Sequence, residues 1–419
     1  MRRALMIVEN LPVPFDRRVW MEATTLKEAG YQVSIICPTG KGHENLYEEI
    51  DGISIYRHRL PPEKSSPLGY IHEYSVALWS QWKLAHKVRR ERGVDIIHAC
   101  NPPDLIFLIG AWFKIFYGTR FIFDHHDLCP ELYEAKFGKK DLFYHALKVA
   151  ERLTFLLADT VISPNESYKH IAERRGGKDP KTIYVVRSAP RLDSFKPVEG
   201  NPRYRRGRRY LVGYLGVMGE FDGVDHLIKA AHELIVKRGR GDIHFCLIGS
   251  GPAVGALKGL VDELSIGDYI EFTGRLPDTE VIDRLSTSDV CVGPDPLNPL
   301  NNQSTMNKIL EYMALERPIV QYDLLEGKRS AGEASVYAEP NNIRDLAGKI
   351  ELLLADPDLR ARMGRLGRRQ MVERLEWKHQ IPPLLSAYES TRCASRRNAG
   401  KPSPRNATSR IVGKERSIS

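Results

Sequence analysis

Lys308 and Glu311 stand three residues apart in the stretch STMNKILEYMALERPIV, Ser304–Val320. Met306, Ile309, Leu310 and Met313 form an apolar stripe at helical spacing, so the stretch reads as a helix running into a strand. Ser304 or Thr305 is a good N-cap, which starts the helix directly after the loop DPLNPLNNQ. The N–H groups and dipole of its first turn, where Asn307 and Lys308 lie, favour an anion. A carboxylate at Glu311 can accept hydrogen bonds from both hydroxyls of a ribose whose phosphates sit at the helix N-terminus. The plain alternative is an i,i+3 ion pair of Lys308 with Glu311 on a wet face. That alternative leaves the Pro- and Asn-rich loop that delivers the helix without a purpose.

Two other stretches could do chemistry. FDHHDLCPE ends a strand-like run with His125, His126 and Asp127. A histidine pair can bind metal, but no third ligand stands at a recognisable spacing. Hydrogen bonding at a cleft suits the pair better, and a buried structural histidine is the plain alternative. GSGP, Gly249–Pro252, closes one strand and opens a helix. Its glycines either let backbone N–H groups approach a phosphate or sugar, or simply make a turn. No G-x-G-x-x-G follows ALMIVEN or RYLVGYLG, which argues against a dinucleotide dehydrogenase, and there is no P-loop.

These residues need elements to position them. Short runs rich in Ile and Val alternate with helical patterns in two series, from ALMIVEN to TIYVVRSA and from RYLVGYLG to SVYAEP. Such alternation predicts parallel sheets covered on both faces. The Pro-, Arg- and Gly-rich segment KPVEGNPRYRRGRR joins the series. The expected fold is α/β, two doubly wound domains facing a cleft, with ligands beyond the carboxyl ends of the strands.

Composition narrows the function classes. The 419 residues suit two domains, and no apolar run reaches the length of a membrane span. MRRALMIVEN reads as a strand rather than a signal peptide. The six scattered cysteines, without a C-x-x-C pair, read as reduced thiols of a cytoplasmic protein. The net charge is +9, but residues 393–419 hold seven Lys/Arg and one acid, and Arg203–Arg209 holds five Arg. Concentrated there, the charge suits surface-seeking disordered segments, which either meet anionic membrane lipid or merely aid solubility, better than a nucleic-acid groove. No nucleic acid is expected.

With these motifs in order, the chain resembles a GT-B glycosyltransferase of the retaining family-4 type over roughly residues 1–391. The carriers are DIIHACNPPD, FDHHDLCPEL, ADTVISPNES, GYLGVMGEFDGVDHLIKA, FCLIGSGP, IEFTGRLPDTEVIDRLSTSDVCVGPDP and KILEYMALERPIV. The resemblance implies an acceptor-side Rossmann-like domain over 1–190 and a nucleotide-sugar domain over 208–376. A closing helix over 377–392 and a basic, disordered tail over 393–419 follow. It implies a nucleoside diphosphate sugar as donor, no cofactor, a glycan or lipid-linked acceptor, and a place in the cytoplasm at the inner face of the membrane. Glu311 corresponds to the second Glu of the family's Glu-x7-Glu motif and would hold the ribose. Gly216 would let the backbone approach the diphosphate, and His126 would lie near the donor sugar. Three positions depart from the pattern. Gln303 stands for the first Glu, and Val217 and Asp222 stand for the Arg and Lys that neutralise the diphosphate. Lys308, Arg275 and Arg187 are the cations left to compensate. The glycine-rich N-terminal loop is replaced by LPVPFDRRVW, whose Arg17 and Arg18 either face substrate or form a solvated pair. His126 and Lys308 are thus the candidate catalytic residues. Gly216, Arg275, Gln303, Ser304, Thr305, Asn307 and Glu311 are the candidate donor-binding ones. Without an Asp-x-Asp motif at a strand end of the first domain, activity is expected without metal. A nucleotide-sugar-binding protein of the same fold without transferase activity is the alternative.

Overall fold

Runs such as LMI, SIIC and IIHA are apolar on both faces, and they become interior strands of parallel sheets. A computed structural model describes residues 1–60 and 67–399. The first sheet contains β1 (Arg2–Ile7), β2 (Tyr31–Pro38), β3 (Tyr47–Ile50), β4 (Ile53–His58), β5 (Ile96–Cys100), β6 (Arg120–Asp124), β7 (Thr160–Ser163) and β8 (Ile183–Val185). Their order is β3-β4-β2-β1-β5-β6-β7-β8. The second contains β9 (Tyr210–Leu215), β10 (Ile243–Ile248), β11 (Ile270–Gly274), β12 (Val290–Gly293), β13 (Ile319–Tyr322) and β14 (Ser335–Ala338), in the order β11-β10-β9-β12-β13-β14. Apolar side chains are buried on both faces of each sheet, in two core clusters per domain. The doubly wound pair expected from the sequence is therefore present.

One strand departs from the parallel scheme. β3 pairs antiparallel with β4 through the two-residue turn Asp51–Gly52, both at positive φ. That is the turn chemistry of a tight hairpin. β3 alternates exposed and half-buried residues and covers the sheet edge.

The chain crosses between domains twice, and the crossings touch. Trp377 N–H donates to Pro190 O at 3.4 Å, and Arg187 N–H to Gln380 Oε1 at 2.9 Å. The final helix, Trp377–Ala399, then lies against the first domain. Trp377 Nε1 donates to Thr25 Oγ1 at 3.0 Å, and Tyr388 Oη meets His98 Nδ1 at 2.7 Å. The helix runs seven residues past its expected end, so 393–399 of the tail expected to be disordered is helical, and 400–419 lies outside the described residues. The basic linker is not a loose, surface-seeking segment, as its charge suggested. Arg205 pairs with Asp289, Arg206 with Glu271 at 2.7 Å, and Arg208 stacks on Tyr269 at 3.8 Å. Its arginines bind it to the second domain.

Candidate active site between the two sheets

The loop after β12 and the helix Asn307–Ala314 form one wall of the cleft. The helix starts one or two residues later than its capping pattern predicts. Met306 holds the N-cap position without a side-chain bond, because the Ser304 and Thr305 hydroxyls are engaged elsewhere. Ser304 Oγ donates to Leu300 O at 2.9 Å and meets Tyr168 Oη at 3.2 Å. Thr305 Oγ1 accepts from Asn165 Nδ2 at 3.1 Å and from Arg187 Nη1 at 3.4 Å. Asn165 Nδ2 also donates to Gln303 O at 2.9 Å. The turn after β7 thus grips the loop from the facing domain. Gln303 folds its own amide back onto Pro299 O at 3.1 Å, and Asn307 is exposed at the first helical position.

Lys308 and Glu311 do not form the wet i,i+3 pair. Lys308 is buried, and its Nζ donates to Asp295 Oδ1 at 2.6 Å. Burial alone lowers an amine's pKa, but Asp295 and Tyr214 outweigh it, so Lys308 stays charged. Its stem lies against Gly216, where a Cβ would come within 3.3 Å of Lys308 Cε and 2.9 Å of Tyr214 Oη. Glu311 is 16% exposed, and its Oε1 accepts from Arg17 Nη1 at 3.3 Å, across the cleft. Burial pushes its pKa up to about 7, against the pull of Arg17. Arg17 also pairs with Asp278. Arg275 lies over the Phe15 ring at 3.7 Å, again across the cleft. Asp222 does not point a bare charge at the loop, since its Oδ2 accepts from Gly219 N–H at 2.8 Å and burial raises its pKa. The GSGP glycines serve packing: a Cβ on Gly249 would strike Gly216 O at 1.9 Å, and one on Gly251 would meet the Met218 backbone at 2.5 Å.

The facing wall is built from the end of β6. Its two histidines part company. His125 is buried among Phe123, Phe155 and Tyr168, and burial pushes its pKa down to about 3. It is a core histidine. His126 keeps 13% of its side chain exposed, with Nε2 2.5 Å from Asp124 Oδ2 and its N–H donating to Asn101 Oδ1 at 2.7 Å. Burial opposes a charge on His126, yet Asp124 reverses this and holds it well above the ordinary imidazole range. Asp124 is the hub of a buried network. It accepts from Arg18 Nη2 at 2.8 Å and Nε at 3.1 Å, and it meets His98 Nε2 at 3.4 Å. Glu22 meets Arg18 at 3.2 Å. Arg17 and Arg18 therefore diverge, one bridging the cleft and the other locking its floor. His98, Cys100 and Asp124 offer ligand atoms within 4.8 Å of one another. Arg18 and His126 already occupy the Asp124 oxygens, so the trio reads as part of an ion-pair network.

The comparisons with known proteins bear on this geometry. The model described as Glycosyltransferase Family 4 matches residues 16–189, and the one described as Glycosyl transferases group 1 matches 209–356. Together they span both walls of the cleft. The chain belongs to the GT-B glycosyltransferases of the family-4 type. It is similar to the alpha-D-kanosaminyltransferase of Streptomyces kanamyceticus, 31% identical over 38% of this chain and 40% of that one. It is also similar to the MMP alpha-(1->4)-mannosyltransferase of Mycolicibacterium hassiacum, 26% identical over 50% and 49%. The chain thus spans about half the length, or less, of these curated relatives. Among solved structures, sucrose-phosphate synthase from Thermosynechococcus elongatus has a TM-score of 0.77 at 18% identity, covering 94% of this chain and all of that one. HepE of Anabaena, in complex with UDP and glucose, has 0.69 at 15%, covering 95% and 100%. At those identities the likeness establishes the fold.

In this family-4 chain the structure places Lys308 and Glu311 on one helix, with Gly216, directly after β9, against the Lys308 stem. Gln303, Ser304 and Thr305 lie on the loop before it. His126 comes from the other domain, and Arg275 sits at the cleft rim on Phe15. Three contributors escaped sequence reasoning. Asp295 holds Lys308, Asp124 holds His126, and Asn165 holds the loop. Each lies at or just beyond a strand's carboxyl end, in VGPDP, RFIFD and ISPN, and that position is the signal that could have found them.

Proposed function

We propose that this chain is a retaining glycosyltransferase that moves a sugar from a nucleoside diphosphate to a glycan or lipid-linked acceptor in polysaccharide synthesis. The supporting observation is the Glu311 carboxylate. It stands at the cleft with, among the described residues, a single ion-pair partner, Arg17, which comes from the opposite domain. A ribose entering the second domain can take over that carboxylate with its two hydroxyls. Gly216 and Lys308, nearly one helical turn away, then receive the diphosphate, and His126 faces the sugar. Arg187 adds a cation at Thr305. Lys308 and Arg187 together take the place of the cations missing at Val217 and Asp222, which weakens the case for a binding protein without turnover.

The bond from the anomeric carbon to the phosphate oxygen breaks, and one from the same carbon to the acceptor oxygen forms. The acceptor proton passes to the departing phosphate oxygen on the same face, through an oxocarbenium-like transition state. No carboxylate is needed as nucleophile. The protein supplies alignment and stabilisation of the leaving diphosphate. Without an Asp-x-Asp motif at a strand end of the first domain, no metal is assigned to the step. The described cysteines are unpaired, which suits the cytoplasm. The experiment is turnover with a panel of nucleotide sugars and a soluble acceptor, with NMR of the product. Transfer with retained anomeric configuration in chelator is expected. Inverted product, or turnover that requires Mg²⁺ or Mn²⁺, contradicts the proposal, and tight nucleotide-sugar binding without turnover favours the non-catalytic alternative.

A further inference from the structure

Two neighbouring helices of the first domain break the usual amphipathic rule. In Phe107–Tyr117, Ile109 and Phe113 point into the core, yet Leu108, Trp112, Ile115 and Phe116 are exposed on the opposite side. In Leu142–Leu157, Ala150, Thr154 and Phe155 are buried while Leu142, Val149, Leu153 and Leu156 are exposed. Both outward sets recur at spacings of four and three or at seven, so each is a stripe along the helix. Ile115 is 72% exposed, Phe116 59% and Leu156 58%. A helix apolar all round belongs in a core or against another apolar phase. The helices pack side by side over the same sheet face, and Lys114 Nζ of one donates to Leu157 O of the other at 2.8 Å. Their stripes therefore form one continuous apolar surface, extended by Trp82, which packs 5.0 Å from Trp112. Contiguous patches of this kind mark interaction sites.

The charges choose the occupant. Lys148 and Arg152 lie on these helices, Lys114 pairs with Asp159 at 2.9 Å just past the second one, and the one acid within them, Glu151, is buried against Arg175. Arg89 stacks on Tyr117 at the helix end, 3.6 Å away. The last helix passes this rim, where Thr391 shares a surface cavity with Tyr117 and Gly118, and beyond it the chain continues into the basic residues 393–419. A second copy docking symmetrically would oppose these cations to themselves. The basic tail folding back would do the same. An anionic surface with an apolar interior satisfies both the stripes and their cations, and Trp and Phe beside Lys and Arg suit the boundary between headgroups and acyl chains. Among the described residues no helix is long and apolar enough to cross a membrane. We propose that the paired stripes of Phe107–Tyr117 and Leu142–Leu157 are a membrane-docking face that inserts shallowly into an anionic bilayer. This inference stands apart from the transferase reaction, and it moves the membrane contact expected of the tail and linker onto the folded domain.

The test is co-sedimentation of the full chain with phosphatidylglycerol–phosphatidylcholine vesicles and with pure phosphatidylcholine vesicles. Three variants accompany it: Ile115→Glu with Phe116→Glu, Val236→Glu as an exposed apolar control on the other domain, and replacement of Lys401, Arg405, Arg410, Lys414 and Arg416 by Gln. The anionic vesicles should bind the chain at least tenfold better than the neutral ones. The paired Glu variant should lose at least tenfold in binding with unchanged circular dichroism. The control should bind like the original, and the Gln variant should keep most of its binding at physiological salt. Full binding by the paired Glu variant overturns the proposal. So does loss confined to the Gln variant, or a purified chain that is dimeric, binds no vesicles and becomes monomeric on the Glu substitutions.

Discussion

Glu311 and Lys308 carry the account at the level of single residues. The folded pKa of Glu311, about 7, lies above its ordinary value of 4.5, and burial is the cause. A raised carboxylate pKa stabilises the fold fully below about pH 4.5 and loses that contribution as pH rises through about 7. The ligand-free Glu311→Gln variant should therefore gain about 1–3 kcal/mol relative to the original chain at pH 8, and nothing at pH 4. Urea unfolding at the two pH values measures this, and equal differences at both would show that the carboxylate is not strained. The same titration should weaken nucleotide binding below pH 7, because a protonated Glu311 accepts less well. Lys308 needs a different test, since Lys308→Ala leaves Asp295 buried and unpaired at a cost of about 3–5 kcal/mol. Lys308→Met with Asp295→Asn should recover most of that stability but little turnover, because the charge that meets the leaving diphosphate is still missing. Turnover that recovers with stability would make Lys308 structural. The sequence brought attention to both residues, but it pointed to an ion pair between them or a free cation. Their partners, Asp295 and Arg17, lie 13 and 294 residues away, and only the fold brings them near.

Element by element, the strands were legible because their Ile and Val runs are apolar on both faces. The hairpin of β3 was not, because YEEI is polar and short, although the Asp51–Gly52 pair marks its turn. The start of the Asn307 helix was misplaced for a different reason. Ser304 and Thr305 have the right chemistry for a cap, but a turn from the other domain claims their hydroxyls. That turn makes Asn165 a positioning residue. Its Oδ1 caps the helix Glu166–Arg174 through Tyr168 N–H at 2.8 Å, while its Nδ2 holds the loop at Gln303 and Thr305. Asn165→Asp keeps the cap and removes the donor, whereas Asn165→Ala loses both, the cap alone being worth about 1 kcal/mol. Asn165→Asp should raise KM for the donor several-fold with a smaller effect on kcat, and its buried carboxylate against Gln303 O should lower the thermal stability. Unchanged KM would show that the loop does not need the grip.

On the scale of the whole molecule, two α/β domains about a cleft were legible from alternation alone, and the ordered motifs pointed to their family. The contacts across the cleft were not, because they join residues far apart in sequence. Arg17 ties the first domain to Glu311 and Asp278, and Arg275 rests on Phe15. The donor's ribose must displace Arg17 from Glu311, so Arg17→Ala should tighten nucleoside diphosphate binding by up to about 1 kcal/mol, the ordinary worth of an exposed ion pair. Weaker binding in that variant would mean that Arg17 itself holds the phosphates. The most direct test of the central claim is calorimetric titration of nucleoside diphosphates into the original chain and Glu311→Ala at pH 8. The account predicts that at least one nucleotide binds the original chain and loses about 1.5–3 kcal/mol of affinity in the variant, with the fold intact. Equal affinity for both chains would contradict it.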